Sequence, residues 1–298
     1  EDPFAFLEPA DRAMGTAKRQ GGGRAVASGE EPLPGRLGIL LAREELAIEN
    51  KLHLALENGG LSLHYQPIIG FDGRVEAVEA LMRCTADNEL IPPGKFIPVA
   101  EKTGLIIRLG EWSLLAGARY ASHLDKAGYR TKVAINVSRA QLASPKFAQA
   151  LHSALLCANV SPELIELELT ESLFMDISEI VQTNLHAAQK AGVGLAIDDF
   201  GTGYSCLANL KDIPATKLKL DRAFVIVLPD DRRAFAVVKA MTQLGRELGM
   251  TVVAEGVEEQ AQLDSLREAG VDAIQGYIHA HAMPEEALLT WFQKRKAS

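Results

Sequence analysis

The chain has 298 residues, of which 47% are hydrophobic, and a formal charge of −8 at neutral pH. Such a chain can bury a sizeable core, as one large barrel or two ordinary domains, and its acidic balance argues against non-specific binding to duplex nucleic acid, which draws on excess Lys and Arg. No apolar run reaches the roughly 18 residues of a membrane span, and nothing near the start reads as a signal peptide.

The three cysteines, Cys84, Cys157 and Cys206, are scattered and odd in number. That spacing argues against a disulfide framework and a zinc cluster, so a reducing cytoplasm is the expected compartment. A chain that opens on Glu1 rather than Met is expected to be a piece of a longer one. Residues 1–36 read as a tail and linker, because Gly21–Gly23 and Pro32–Pro34 break any short helix around Asp11 to Lys18. A helix is predicted from about Leu40 to Leu56, stopped by Asn58-Gly59-Gly60.

From Leu61 onward, short apolar or alternating runs trade places with longer helical patterns. The predicted strands are Leu61 to Ile69, Val75 to Met82, Lys132 to Val137, Leu164 to Thr170, Gly194 to Ile197, Lys217 to Leu220, Thr251 to Ala254 and Ala273 to Ile274. Helices are predicted over Glu111 to Ala127, Lys146 to Ala158, Ser178 to Ala191, Arg232 to Leu248 and Glu258 to Ala269. That alternation points to an α/β fold, a modified TIM (β/α)8 barrel. The connection Gly70 to Arg74 is short enough for a hairpin, so the first strand pair is expected to be antiparallel. A doubly wound open sheet is the runner-up.

The densest chemistry lies in Ala196-Ile-Asp-Asp-Phe-Gly-Thr-Gly-Tyr-Ser205, where an apolar run ends in two adjacent carboxylates. Side chains alternate along a strand, so Asp198 and Asp199 face the same way only if the backbone turns there. Their repulsion is relieved by protonation, by a basic partner or by divalent cations. In a barrel the site sits at the C-terminal strand ends. Glu79, Asn136, Glu168, Asp198 and Asp199 fall at such ends, Lys219 lies on the sixth strand, and Glu255 and Gln275 follow the seventh and eighth.

In Ile165-Glu-Leu-Glu-Leu-Thr170 the period of two separates Ile165, Leu167 and Leu169 from Glu166, Glu168 and Thr170, and the acidic face belongs inside. Inward carboxylates are costly unless paired or metal-bound. An oxygen-rich set without Cys or His at ligand spacing suits Mg²⁺ or Mn²⁺, and several carboxylates can hold two ions for attack of water on a phosphodiester. Lys219 is either their counter-charge or a group that orients or deprotonates that water. His279 and His281 read as loop residues.

Together these residues resemble the EAL family of cyclic di-GMP phosphodiesterases, from about residue 40 to 290. The resemblance is carried by Tyr65-Gln66-Pro67, Glu79-Ala80-Leu81 with Arg83, Phe96-Ile97-Pro98 to Glu101, Asn136-Val137-Ser138, Glu168 to Ser172 and Asp198 to Ser205. Leu218-Lys219-Leu220-Asp221, Ala254 to Glu258 and Gln275-Gly276-Tyr277 complete the ordered series.

The resemblance implies that Glu79, Asn136, Glu168 and Asp198 hold a first metal ion, with Asp198, Asp199 and Glu255 around a second. It further implies that Lys219 holds the nucleophilic water, Glu255 shares in catalysis, and Glu171 supports the loop after Asp199. Gln66, Leu81, Arg83, Asp221 and Gln275 would position substrate. The implied reaction opens cyclic di-GMP to linear pGpG with two Mg²⁺ or Mn²⁺ ions; the alternative is a domain that binds cyclic di-GMP without cutting it. A homodimer through the loop after Asp199 is also expected.

Residues 1–24 resemble, more weakly, the last helix of a GGDEF domain, on Ala10-Asp-Arg-Ala-Met14 and Ala17-Lys-Arg-Gln-Gly21. An upstream GGDEF domain, a linker over 25–38 and an EAL barrel over 39–298 are therefore expected. Departures from the family pattern are Cys84 for a common Trp, Cys206 for Ser, Thr216 for Asp, and the stretch His279 to Met283.

Overall fold

A computed structural model describes residues 34–171, 173, 177–201, 210 and 213–297. The GGDEF-like segment, most of the linker and the loop proposed for dimerisation lie outside these residues. The chain divides into two compact units, Glu1–Asn50 and Lys51–Ser298. Helix α1 (Pro34–Asn58) begins before the predicted Leu40, so residues 34–38, expected as linker, are helical. Pro34 fits there because the first turn of a helix needs no N–H from it.

The second unit continues with β1 (Leu61–Gly70), β2 (Val75–Ala86), β3 (Glu89–Ile91), α2 (Pro93–Thr103), α3 (Leu105–Lys126) and β4 (Lys132–Asn136). Then come α4 (Arg139–Leu142), α5 (Phe147–Ala158), β5 (Ile165–Thr170), α6 (Glu179–Ala191), β6 (Gly194–Phe200) and β7 (Lys217–Leu220). The chain ends with α7 (Arg222–Val225), α8 (Arg232–Glu247), β8 (Thr251–Ala254), α9 (Gln260–Ala269), β9 (Ala273–Gln275) and α10 (Glu285–Ala297).

Hydrogen bonding runs β1-β9-β8-β7-β6-β5-β4-β2, and β1 pairs back with β2, so the sheet closes into an eight-stranded barrel with β3 appended to β2. Closure rules out the open doubly wound sheet. β1 is antiparallel to both β2 and β9, while β2 and β4 to β9 run parallel. The predicted antiparallel pair is therefore present, and the seam extends to a second neighbour.

Strand β3 escaped the sequence reading because it is three residues long. Its signal was local: Asp87 and Asn88 both take positive φ, 53° and 62°, as a two-residue hairpin turn requires. Helix α2 was hidden by Pro98 inside it, yet Phe96, Val99 and Ala100 lie buried at helical spacing. Helix α10 carries Glu285 and Glu286 in its first turn and Lys294 to Lys296 in its last, matching the helix dipole.

The main core lies between the barrel's outer wall and the helices. Ile165, Leu167 and Leu169 join it beside Leu114, Leu151 and Leu185. Inside the barrel, Ile68, Ala77, Val253 and Ala273 form a separate small apolar cluster. The alternation of β5 thus works as predicted, with leucines outward and acids inward.

Candidate active site

The inward positions of β5 and β7 build the centre. The fully buried Lys219 ammonium lies 2.9 Å from Glu168 Oε2, 3.2 Å from Asp198 Oδ1, 3.4 Å from Glu79 Oε2 and 2.5 Å from Glu255 Oε1. Four acids from β2, β5, β6 and the loop after β8 therefore converge on one cation. Asn136, at the end of β4, donates to Glu79 Oε1 at 2.7 Å, and Gln275, at the end of β9, donates to Glu79 Oε2 at 2.6 Å. Gln275 also donates to Gln66 Oε1 at 3.2 Å, while Gln66 donates to the Ala280 carbonyl at 3.0 Å.

The electrostatics follow from burial and this imbalance. Burial opposes charge on Lys219, but Asp198, Glu168, Glu255 and Glu79 raise its pKa well above the usual lysine range. Burial, reinforced by Glu79, pushes Glu168 well above the carboxylate range. Burial likewise raises Glu255 to about 8, with Asp198 and Glu79 adding to it against Lys219. For Glu79 burial acts upward, yet Lys219, Gln275 and Asn136 together hold it below its ordinary value.

Asp199 lies one residue past Asp198 on the same strand. Its φ of 55° is in the left-handed region, and the β6–β7 register shifts between Ile197 and Phe200. This bulge is the backbone turn that the adjacent carboxylates demand, placed within β6 rather than beyond its end. Carboxylate oxygens of Asp198, Asp199 and Glu255 consequently lie within 4.8 Å of one another. Burial, with Asp198 and Asp221 nearby, raises Asp199 to about 6. Just beyond, the Gly201 N–H donates to buried Glu171 Oε2 at 2.7 Å, as expected for support of this loop. Gly201 has φ 96°, and a Cβ there would stand 2.6 Å from Met241 Cε.

Above the acids opens a cavity of about 330 Å³. Of the residues predicted for the site, Gln66, Glu79, Leu81, Asp198, Asp199, Glu255 and Gln275 line it. Lys219 and Glu168 lie fully buried. Arg83 does not line the cavity; its guanidinium donates to the neighbouring Met82 carbonyl at 3.0 Å. Asp221 caps α7 by accepting from the Ala223 N–H at 2.7 Å.

Arg222, Gly256, Glu258, Gly276 and Tyr277 also line the cavity and had not been singled out for roles. Arg222 pairs with Glu258 at 2.9 Å, and its stem lies where a Cβ on Gly256 would be, 2.3 Å from its Cγ. Gly256 to Glu258 sit inside a quoted motif and Arg222 just after one that ends at Asp221; their pairing is long-range and carries no mark in the sequence.

Glu168 Oε1 and Gln275 Oε1 are buried and accept no hydrogen bond among the described residues. Buried acceptors without donors, in a donor set made of oxygens, fit hard divalent cations. The residues present are thus suited to holding such ions.

The chain matches the EAL domain family over residues 49–282. It is 41% identical, over 251 residues, to the bifunctional diguanylate cyclase/cyclic di-GMP phosphodiesterase MucR of Pseudomonas aeruginosa, covering 83% of this chain and 37% of that protein. It is 35% identical to the cyclic di-GMP phosphodiesterase PdeR of Escherichia coli, covering 98% of this chain and 44% of PdeR. The chain therefore spans less than half the length of these relatives. The solved structure of the PaMucR phosphodiesterase in complex with c-di-GMP superposes with a TM-score of 0.77 at 40% identity, covering 81% of this chain and 99% of that one. The chain belongs to the EAL domain family.

Proposed function

We propose, taking membership of the EAL family as the premise, that this domain hydrolyses one phosphodiester bond of cyclic di-GMP to give linear pGpG. The observation that carries the reading is the convergence of Glu79, Glu168, Asp198 and Glu255 on one buried cation, Lys219, at the base of an open cavity. A scaffold barrel has no use for that arrangement, because uncompensated buried acids cost stability. Two Mg²⁺ or Mn²⁺ ions, held by Glu79, Asn136, Glu168 and Asp198 and by Asp198, Asp199 and Glu255, would act as Lewis acids and lower the pKa of bound water.

The chain's own groups do the rest. Lys219, its pKa raised by the four acids around it, serves as their counter-charge and orients the attacking water. Gln275 and Asn136 fix both oxygens of Glu79. Gln66, Leu81 and Gln275 line the substrate cavity, and Arg83 and Asp221, outside that lining, would position substrate. Glu171 holds the backbone after Asp199 through Gly201. One water is consumed, its oxygen joins phosphorus, and one P–O bond to a ribose oxygen breaks.

The test is purified protein with Mg²⁺ or Mn²⁺ and cyclic di-GMP, followed by chromatography for pGpG. Turnover that disappears in Glu79→Ala supports the enzyme. Tight binding with no turnover in either metal selects the receptor reading instead. The parent chain's GGDEF domain and a homodimer through the loop after Asp199 are further parts of this proposal, and the solution molar mass from light scattering tests the dimer.

A further inference from the structure

The cavity has one aromatic wall. Tyr277 is the single aromatic among the described residues lining it, and it is 54% exposed. A large ring left in solvent at the lip of a polar cavity contributes little to folding, and its hydroxyl has no hydrogen-bond partner among the described residues. One contact backs it: the ring stacks on His281, centroids 3.9 Å apart and planes inclined by 32°.

The backbone beneath Tyr277 is fixed on both sides. The Val257 N–H donates to the Gln275 carbonyl at 3.1 Å and the Ile278 N–H to the Val257 carbonyl at 3.0 Å. Gly276 lies so close to Val257 that a Cβ would stand 2.0 Å from its carbonyl oxygen. The His279 and Ala280 N–H groups turn back to the Gly276 carbonyl at 3.2 and 3.3 Å, and Gln66 holds the Ala280 carbonyl. The tyrosine therefore stands on the same pinned turn that carries Gln275, the partner of Glu79.

From this placement we infer that Tyr277, backed by His281, is a stacking shelf for one purine base of the substrate, and sets affinity rather than the rate of bond cleavage. The inference rests on cyclic di-GMP as substrate. Aromatic side chains bind bases through their faces, without bonds to particular base edges, and alanine substitution at such a contact costs about five- to 150-fold in binding. Divalent ions held by the acids at the cavity floor would engage the phosphate, leaving the planar base to the mouth.

The experiment compares Tyr277→Ala, Tyr277→Leu and Tyr277→Phe in steady-state hydrolysis of cyclic di-GMP, with melting curves as a folding control. Alanine should raise KM by about tenfold while kcat stays within about twofold. Leucine, of similar bulk but without a flat face, should stay impaired, and phenylalanine should restore the wild-type KM. An alanine variant with wild-type KM, or a leucine variant indistinguishable from wild type, overturns the shelf. If wild type binds cyclic di-GMP without cutting it, the function proposed above fails on its own, and the same variants are then compared through Kd. Equal dissociation constants for wild type and Tyr277→Ala would again overturn the shelf.

Discussion

Two strands of this barrel carry the same pair of charges twice. On β5, Glu166 and Glu168 point inward; on β7, Lys217 and Lys219 face them. At the lower level Lys217 meets Glu166 at 2.5 Å, with Lys132 at 3.8 Å on its other oxygen. At the upper level Lys219 meets Glu168 but also Asp198, Glu79 and Glu255. The lower group is supplied with cations and sits below the cavity; the upper one has more acids than cations and opens into it. Inward acids alone do not mark a site, and the ratio of acids to cations around them separates a buried ion pair from a place that needs further positive charge.

The sharpest way to break this contrast is to remove an acid from each level. Glu79→Ala should lower hydrolysis of cyclic di-GMP by at least about 10³-fold, since metal-ion stabilisation of a phosphoryl transition state is worth several kcal/mol. Glu166→Gln, judged per folded molecule, should keep most activity; equal losses in the two variants would erase the distinction.

Lysine removal comes next. Lys217→Met leaves Glu166 buried beside Lys132 alone and should destabilise by about 3–5 kcal/mol in urea unfolding, with most of the loss recovered by Glu166→Gln in the same chain. Lys219→Met should be unstable without metal and regain stability with Mg²⁺, a rescue that Lys217→Met should not show. Calorimetry with and without the ion decides it.

A smaller effect is expected at the rim. Gly256→Ala, at φ 68° and against the Arg222 stem, should cost about 1–3 kcal/mol and weaken Mn²⁺ binding measured by electron paramagnetic resonance, because Glu255 precedes it. Wild-type Mn²⁺ affinity in that variant would show that the Arg222 contact does not position Glu255.

The smallest effect is a pH dependence of a few degrees in Tm for the metal-free protein. Glu255 and Asp199 titrate near 8 and 6 when folded, above their ordinary values of 4.5 and 3.8. Between about pH 4.5 and 8 the folded state thus holds protons that the unfolded chain has lost, and stability falls as pH rises through that window. Saturating Mg²⁺ should flatten the slope. A metal-free Tm that rises with pH would contradict these assignments.

Most of the barrel was legible because strand and helix periods differ, and the eight barrel strands lie where alternation and apolar runs place them. What was not named was β3, which is short, α2, which carries Pro98, and α10 after the last strand. The acids of the site were legible because a carboxylate at an inward strand position conflicts with burial, and Asp198-Asp199 announced the bulge that the φ of Asp199 supplies. The Arg222–Glu258 pair was not, because a contact between segments far apart in sequence depends on three-dimensional closure, and the Tyr277–His281 contact was not, because it depends on the conformation of the turn between them. The same closure leaves Arg83 beside Met82, outside the cavity lining, despite its motif.

The reversed seam has a mechanical meaning. In an all-parallel barrel the polypeptide threads in from the face opposite the chemistry, but β1 runs downward, so the strand begins at the acidic rim with Leu61 and reaches Gln66, opposite Glu79, before descending to Gly70. From Leu61 the β1–β2 ladder runs without interruption to Gln66, the outer member of the Gln66–Gln275–Glu79 hydrogen-bond chain. Sliding that ladder by one residue pair would swap Gln66 for a side chain of the opposite face, so the register of this one reversed strand decides whether Gln275 keeps its amide neighbour.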